Sequence, residues 1–337
     1  MNISDPSNWM SDNLALLGPR TLSQISMPAS HDSGMYKVSD CTPDISILRH
    51  GPYGANACNT QTQTLSIRDQ LDQGSRYFDI RPVMFGDDDV LYTGHYALKS
   101  PVTLGCNGPT LADFFQQVSD FMAESGDLVI LKFSHYYNRN TSTDRFSDAE
   151  MTALIAQVHS ILGPNLYTGN VPSQGFLNAT LGDLISSGGR ALVVFDTLPD
   201  DLRDPASGIY SYADAPARGD LTVFDQYADC NVLGDMIIDQ KAKLTNVANH
   251  TGCLFLLSWT LTQDGEQAIK CGLDVADATT ILDLADQANP DLQPTLQDWI
   301  SNGTITPRTW PNFLYVDDNN QFSLHAAAYL NSQFSTL

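Results

Sequence analysis

Three short segments carry residue types that move protons or hold anions. The first is Ile25-Ser26-Met27-Pro28-Ala29-Ser30-His31-Asp32-Ser33-Gly34. An apolar run ends at a proline, and His31 and Asp32 follow on what reads as a loop. Imidazole titrates near neutrality, and a neighbouring carboxylate favours its charged form. The second is Gly74-Ser75-Arg76-Tyr77-Phe78-Asp79-Ile80-Arg81-Pro82. Strand alternation puts Tyr77, Asp79 and Arg81 on one face, and Arg76, Phe78 and Ile80 on the other. If the first face turns inward, a carboxylate and a guanidinium enter a core, at high cost unless paired or ligand-bound. Two readings stay open: a structural ion pair, or an arginine presented to an anion with Asp79 fixing its geometry. The third is Leu91-Tyr92-Thr93-Gly94-His95, read as a strand that ends with a histidine at its mouth.

Each histidine alone is as well explained by packing. Together, two imidazoles, one guanidinium and supporting carboxylates suit cleavage of a phosphodiester without a metal. One imidazole takes a proton from the nucleophile, and the other gives one to the leaving oxygen. The arginine balances charge developing on the phosphoryl oxygens.

The elements that must position them alternate. Strands are expected near Leu22–Met27, Ser75–Arg81, Val90–Thr93, Leu128–Ser134, Ala191–Asp196, Leu221–Tyr227, Leu254–Thr260 and Phe313–Asp317. Helices are expected over Thr110–Glu124, Ser147–Leu162 with a capping box, Leu273–Ala288 and Ser323–Phe334. Eight strands, mostly with crossover helices, predict an α/β fold: a (β/α)8 TIM-type barrel, with catalytic residues at the C-terminal strand ends. Gly34–Thr64 and Pro199–Asp220 read as long loops on that scaffold. No linker or internal repeat divides the chain, so residues 1–337 read as one domain.

His31-Asp32-Ser33-Gly34 after Ile-Ser-Met-Pro resembles the first motif of the phosphatidylinositol-specific phospholipase C X-domain family. Thr64-Leu65-Ser66-Ile67-Arg68-Asp69-Gln70-Leu71, leading into Gly74 to Arg81, resembles the second. Trp9-Met10, the Gly94-His95 step and Asp127-Leu128-Val129-Ile130-Leu131 also fit, so the likeness is dense over residues 9–135 and thin afterward. The resemblance implies roles. His31 is the general base for the inositol 2-hydroxyl, and His95 the general acid for the diacylglycerol oxygen. Arg81 stabilises the transition state, Asp79 orients Arg81, and Asp32 partners a catalytic histidine. Leu314-Tyr315-Val316-Asp317-Asp318 resembles the last strand, whose carboxylate orients the base; Asp317 is chosen over Asp318.

The resemblance also implies no metal. Calcium takes about six to eight oxygen ligands, and Arg81 stands where the calcium-dependent branch carries acidic residues. Asp87-Asp88-Asp89 reads as a solvated turn. Val223-Phe224-Asp225-Gln226-Tyr227 resembles a strand whose Asp and Tyr contact inositol, and Asp225 and Tyr227 share a face. Where the bacterial enzymes place Lys, Glu and Arg around the ring, this chain has Ser134, Tyr136 and Asp196. Lys132, one pleat period below Ser134, replaces the missing lysine or pairs with a core carboxylate. His135 is left without a role. His50, His159, His250 and His325 read as surface or packing residues. Phe85, Tyr136, Tyr137 and Trp310 either touch a lipid headgroup layer or pack ordinary loops.

Lys and Arg number 17 against 39 Asp and Glu, a net charge of −22. So acidic a surface excludes sequence-independent nucleic-acid binding and adsorption to anionic membranes. Hydrophobic residues at 42% supply a large core. No run reaches the ~18 apolar residues of a membrane span. The start lacks a positive n-region and an apolar h-region; either the protein stays where it is made or a leader has been removed.

Of six cysteines, Cys41 and Cys58 bracket one loop and are the first disulfide candidate, the alternative being six thiols. Five sequons, at Asn2, Asn140, Asn178, Asn249 and Asn302, stand against roughly three expected by chance, an excess that proves nothing. Low lysine, an even cysteine count and acidity point to a secreted protein.

The expected function is a cofactor-free, monomeric phosphodiesterase that contacts membranes transiently and cleaves phosphatidylinositol or a related inositol phospholipid through a cyclic inositol phosphate. The alternatives are a different lipid headgroup, or a non-catalytic barrel binding an inositol phosphate or a protein partner.

Overall fold

The computed structural model describes residues 1–42, 54–86, 88–99, 102–186 and 190–334; His50 and Asp87 lie outside them. Among the described residues there are twelve strands: β1 (Met27–Ser30), β2 (Tyr77–Ile80), β3 (Pro82–Phe85), β4 (Val90–Lys99), β5 (Val102–Thr110), β6 (Val129–Phe133), β7 (Tyr137–Asn138), β8 (Ala191–Phe195), β9 (Ile209–Asp214), β10 (Leu221–Asp225), β11 (Leu254–Ser258) and β12 (Phe313–Val316). Eight of them close a barrel in the order β1-β12-β11-β10-β9-β8-β6-β2, every pair parallel. The (β/α)8-type expectation holds, with irregularities. No α-helix separates β8 from β9 or β9 from β10.

Inside, alternation sorts the side chains into layers. Ala29, Tyr77, Ile130, Leu192, Val194, Tyr210, Val223, Leu256 and Phe313 form one buried apolar cluster. Their strand neighbours Phe78, Leu131 and Val193 point outward and pack against the helices Leu111–Glu124 and Asp148–Leu162. Both helices begin on a side-chain cap, Thr110 and Ser147, that takes a free backbone N–H of the first turn. Leu257, Leu314 and Val316 pack outward against Trp299 and Leu330. Trp9, Leu17, Leu22, Phe176 and Leu181 join the barrel interior and close its N-terminal end. Continuing the same period upward brings charged groups to the other end. The physical rule is simple: the buried layers must be apolar, whereas the mouth can carry charge.

Several expectations are corrected. Leu22–Gln24 is a short 3-10 turn, and the first strand starts at Met27. Val90–Thr93 is no barrel strand; it opens the ten-residue β4 of a separate sheet ordered β5-β4-β3-β7. The missing barrel strand is β9, inside the stretch Pro199–Asp220 read as a loop. Its Ile209-Tyr210-Ser211-Tyr212-Ala213-Asp214 does alternate, but six residues beside Gly and Pro gave a weak signal. Leu273–Ala288 is helical only over Ile281–Ala288, preceded by a separate helix Gly265–Gly272.

The cysteine expectation also changes. Cys41 bonds Cys106 and Cys58 bonds Cys271, while Cys230 and Cys253 are thiols. Loop neighbours in sequence are thus tied to two distant elements instead of to each other. Among the described residues, no helix is long and apolar enough to cross a membrane.

Candidate active site

His31 follows β1 directly, its N–H donating to the Val316 carbonyl of β12 at 3.1 Å. That places its ring beside Asp317, and His31 Nδ1 lies 2.6 Å from Asp317 Oδ1. Nε2 lies 2.8 Å from Arg81 Nη2. A guanidinium only donates, so Nε2 is the lone-pair nitrogen and Nδ1 carries the proton given to Asp317. Burial pulls the His31 pKa down, but the Asp317 charge and hydrogen bond outweigh it and raise the pKa above its ordinary value.

Asp79 is fully buried, level with Lys132 on β6. Its oxygens accept from Tyr315 Oη at 2.6 Å, Arg81 Nε and Lys132 Nζ at 3.1 Å each, and Ser134 Oγ at 3.2 Å. Burial alone would raise its pKa; Lys132 and then Arg81 overcome that and hold it well below the usual carboxylate range. Arg81 is held charged against burial by Asp32 and Asp79. Both readings of Lys132 meet here, since it pairs with Asp79, lies 3.6 Å from Asp225, and also lines the cavity.

His95 reaches the site by a route that differs from the expectation. Its strand does not end at Thr93; β4 continues through a register shift between Tyr92 and Gly94, and His95 pairs with Cys106 of β5. The hairpin must be thin there: a Cβ on Gly105 would lie 2.2 Å from the His95 carbonyl oxygen. His95 Nδ1 stands 2.8 Å from Asp32 Oδ2. The N–H is not aimed along that line, because His95 Nδ1 and both Asp32 oxygens lack an aligned hydrogen bond. The pair is a close polar contact without hydrogen-bond alignment. Asp32 also lies 3.5 Å from Arg81 Nη1.

A cavity of about 390 Å³ collects these groups. His31, Arg81, His95, Lys132, His135 and Tyr315 line it together with Tyr227 and the carboxylates Asp196, Asp214, Asp225 and Asp229. Burial raises the Asp196 and Asp214 pKa values, with Lys132 opposing in both. Arg81, then burial, then Lys132 push His135 down to about 3, which keeps it neutral. Asp32, His135, Thr197, Asp229 and Asp318 all have positive φ, each shortly after a barrel strand. Such backbone costs ~1–3 kcal/mol per residue and gathers at functional sites.

The expected residues His31, Arg81, His95, Lys132, Asp225 and Tyr227 all meet at this cavity, with Asp32, Asp79 and Asp317 beside them. Asp318 turns away and accepts from Thr64 Oγ1. Ser134 is buried, its hydroxyl bonding Asp79 and His135 Nδ1. Tyr136, Tyr137 and Trp310 are buried, and Phe85 packs under Arg139, so these aromatic rings are loop and core packing. Tyr136 donates to the Phe133 and Asp196 carbonyls. His159 and His250 bond backbone carbonyls, and His325 is exposed.

Sequence reasoning missed Tyr315, Tyr212, Thr62 and Gln63. Tyr212 donates to Asp225 at 3.3 Å, and its ring lies under Lys132. Gln63 bonds the His31 carbonyl and the Asn319 N–H, and Thr62 bonds the Asp32 carbonyl, so this loop stitches the two ends of the barrel seam together. The inward alternation of β9 and β12 was a usable signal for the two tyrosines. The loop residues had none.

No protein-family model matches the chain. Among curated proteins, it is 28% identical over 156 residues to the variant-surface-glycoprotein phospholipase C of Trypanosoma brucei brucei, 41% of either chain. It is 28% identical over 202 residues, 59% of this chain and 24% of that one, to a PI-PLC X-box domain-containing protein of Dictyostelium discoideum. It is also 28% identical over 149 residues to human PI-PLC X domain-containing protein 2, 39% of this chain and 44% of that one. The matches thus span less than half the length of these relatives. The solved phosphatidylinositol-specific phospholipase C of Listeria monocytogenes superposes with TM-score 0.59 at 18% identity, covering 97% of this chain and 98% of that one. The last likeness is one of fold. It shows the barrel seen in the bacterial protein, and the sequence matches support the PI-PLC X-domain family for this chain.

Proposed function

We propose that the protein is a phospholipase C-type phosphodiesterase that cleaves phosphatidylinositol or a related inositol phosphodiester without a metal. The convergence of His31, Arg81 and His95 on one cavity carries this reading. His31 Nε2, its other nitrogen held by Asp317, takes the proton of the ring hydroxyl beside the phosphodiester. That oxygen bonds phosphorus, closing a cyclic phosphate as the bond to the lipid alcohol breaks. His95, with Nδ1 toward Asp32, returns a proton from Nε2 to the departing oxygen. Arg81 turns from His31 to the phosphoryl oxygens and balances their charge. The carboxylates that line the cavity accept ring hydroxyls. The two disulfides favour work in an oxidising compartment.

The test is turnover of phosphatidylinositol in EDTA, with cyclic inositol phosphate as product. His31→Ala and His95→Ala are each expected to lower the rate at least ~10²-fold. Loss of activity on chelation, restored by calcium, overturns the metal-free step. Saturable inositol phosphate binding without turnover makes the protein a binding module.

A further inference from the structure

A second cavity meets the first. About 240 Å³ in volume, it shares His31, His95, Leu261 and Thr262 with the polar one, but its walls are largely apolar: Ala55, Ala97, Leu104, Leu261, Ala268 and Ile281. Ala97 and Leu104 face each other across β4 and β5, forming one wall. The short helix Ala57–Thr60 and the helix Gly265–Gly272 form the other, joined by the Cys58–Cys271 disulfide. Gln263 donates to the Cys58 carbonyl at 3.2 Å and to the Thr279 carbonyl at 2.6 Å. Asn56 donates to the Cys271 carbonyl at 2.7 Å. The groove is thus built before any ligand arrives, which lowers the ordering cost of binding.

We propose that this groove seats the hydrocarbon of the leaving alcohol, so that the site selects its phosphodiester by an apolar chain as well as by the headgroup. The inference rests on the catalytic reading above and names the other half of the substrate. The geometry supplies the occupant. Whatever carries the oxygen protonated by His95 continues away from the headgroup, and the groove opens at His95. At ~30 Å³ per water, its volume holds about eight waters, enough for a short stretch of chain. Just beyond Ala268, Ile269, Leu273 and Val275 are 49%, 42% and 40% exposed, an apolar lip where the chain would enter from a lipid layer.

The experiment titrates the intact, oxidised protein with ethyl, butyl and octyl phosphate, all below micelle-forming concentrations. Affinity is expected to rise about three- to fourfold per added methylene, then level off as the groove fills. Ala268→Trp and Leu104→Glu, acting from opposite walls, are each expected to bring the octyl-to-ethyl ratio close to one. Reduction of Cys58–Cys271 is expected to lower it. A ratio near one in the unaltered protein, or octyl phosphate binding that ignores both substitutions, overturns the groove. Failure of the catalytic reading looks different: ethyl phosphate binding that is absent, or unchanged by Arg81→Ala, while the chain-length dependence persists. If one variant misfolds, the other and the series on the unaltered protein still decide.

Discussion

His31 and Asp317 are 286 positions apart in the chain, yet their side chains meet at 2.6 Å across the seam where β12 closes on β1. The register Ser30 to Val316 sets this contact, since the next residue on each strand is the histidine and the aspartate. It chooses the tautomer of His31 and stabilises its protonated form.

The first prediction concerns pH. A base must be neutral to work, so the acid limb of kcat/KM against pH is expected above the ordinary histidine value of 6.5. Asp317→Asn removes the charge that raises the pKa, so the limb moves to lower pH. The maximal rate also falls ~10²–10⁴-fold, because the tautomer is no longer held. A limb that stays in place would show that another group titrates.

Asp79 ties Arg81, Lys132, Ser134 and Tyr315 together. Asp79→Asn removes the carboxylate that Arg81 and Lys132 share, leaving each only the longer contact to Asp32 or Asp225, and is expected to cost about 3 kcal/mol in urea unfolding. Adding Lys132→Met should return part of that loss. The folded pKa of Asp79 is depressed, so its ionic contribution is fully present above the unfolded value of 3.8. It fades as pH falls through the lower folded value. Equal stability of wild type and Asp79→Asn at neutral pH would refute the network's role.

Headgroup choice should follow charge. Asp196, Asp214, Asp225 and Asp229 all line the cavity that would take the headgroup. Inositol lipids phosphorylated on the ring are expected to turn over at least about tenfold more slowly than the unphosphorylated lipid, because like charges close together cost more than 1 kcal/mol. A headgroup panel at fixed surface concentration measures this. Equal rates would remove the carboxylates from ring recognition.

The fourth prediction concerns the surface. With a net charge of −22 and screening over ~8 Å at physiological salt, attraction must come from the local set Arg81, Lys132, His31 and His95. Vesicles of phosphatidylcholine with added phosphatidylserine are expected to bind no better than phosphatidylcholine alone in sedimentation. Strong binding to the serine lipid would contradict it.

Much was legible before any coordinates. Period-two alternation put Asp79 and Arg81 on one face, and inside a barrel that face must be inward. Apolar runs of strand length located six of the eight barrel strands, while the expected Leu22–Met27 shares only Met27 with β1. Choosing Asp317 over Asp318 rested on family likeness, and the pleat agrees, since Tyr315 and Asp317 share the inward face.

Other features had no local signal. Val90–Thr93 is a short β-rich run of the kind a barrel strand shows, and only pairing partners reveal that it belongs to a side sheet carrying His95. Cys41 and Cys58 are close in sequence, but a disulfide depends on approach in space, which brought Cys106 and Cys271 instead. The sequence by itself determined which residues could do chemistry and which faces they share, because alternation is local. Tertiary structure alone decided which of them meet, because barrel closure, hairpin thickness and disulfide pairing all depend on distant segments coming together.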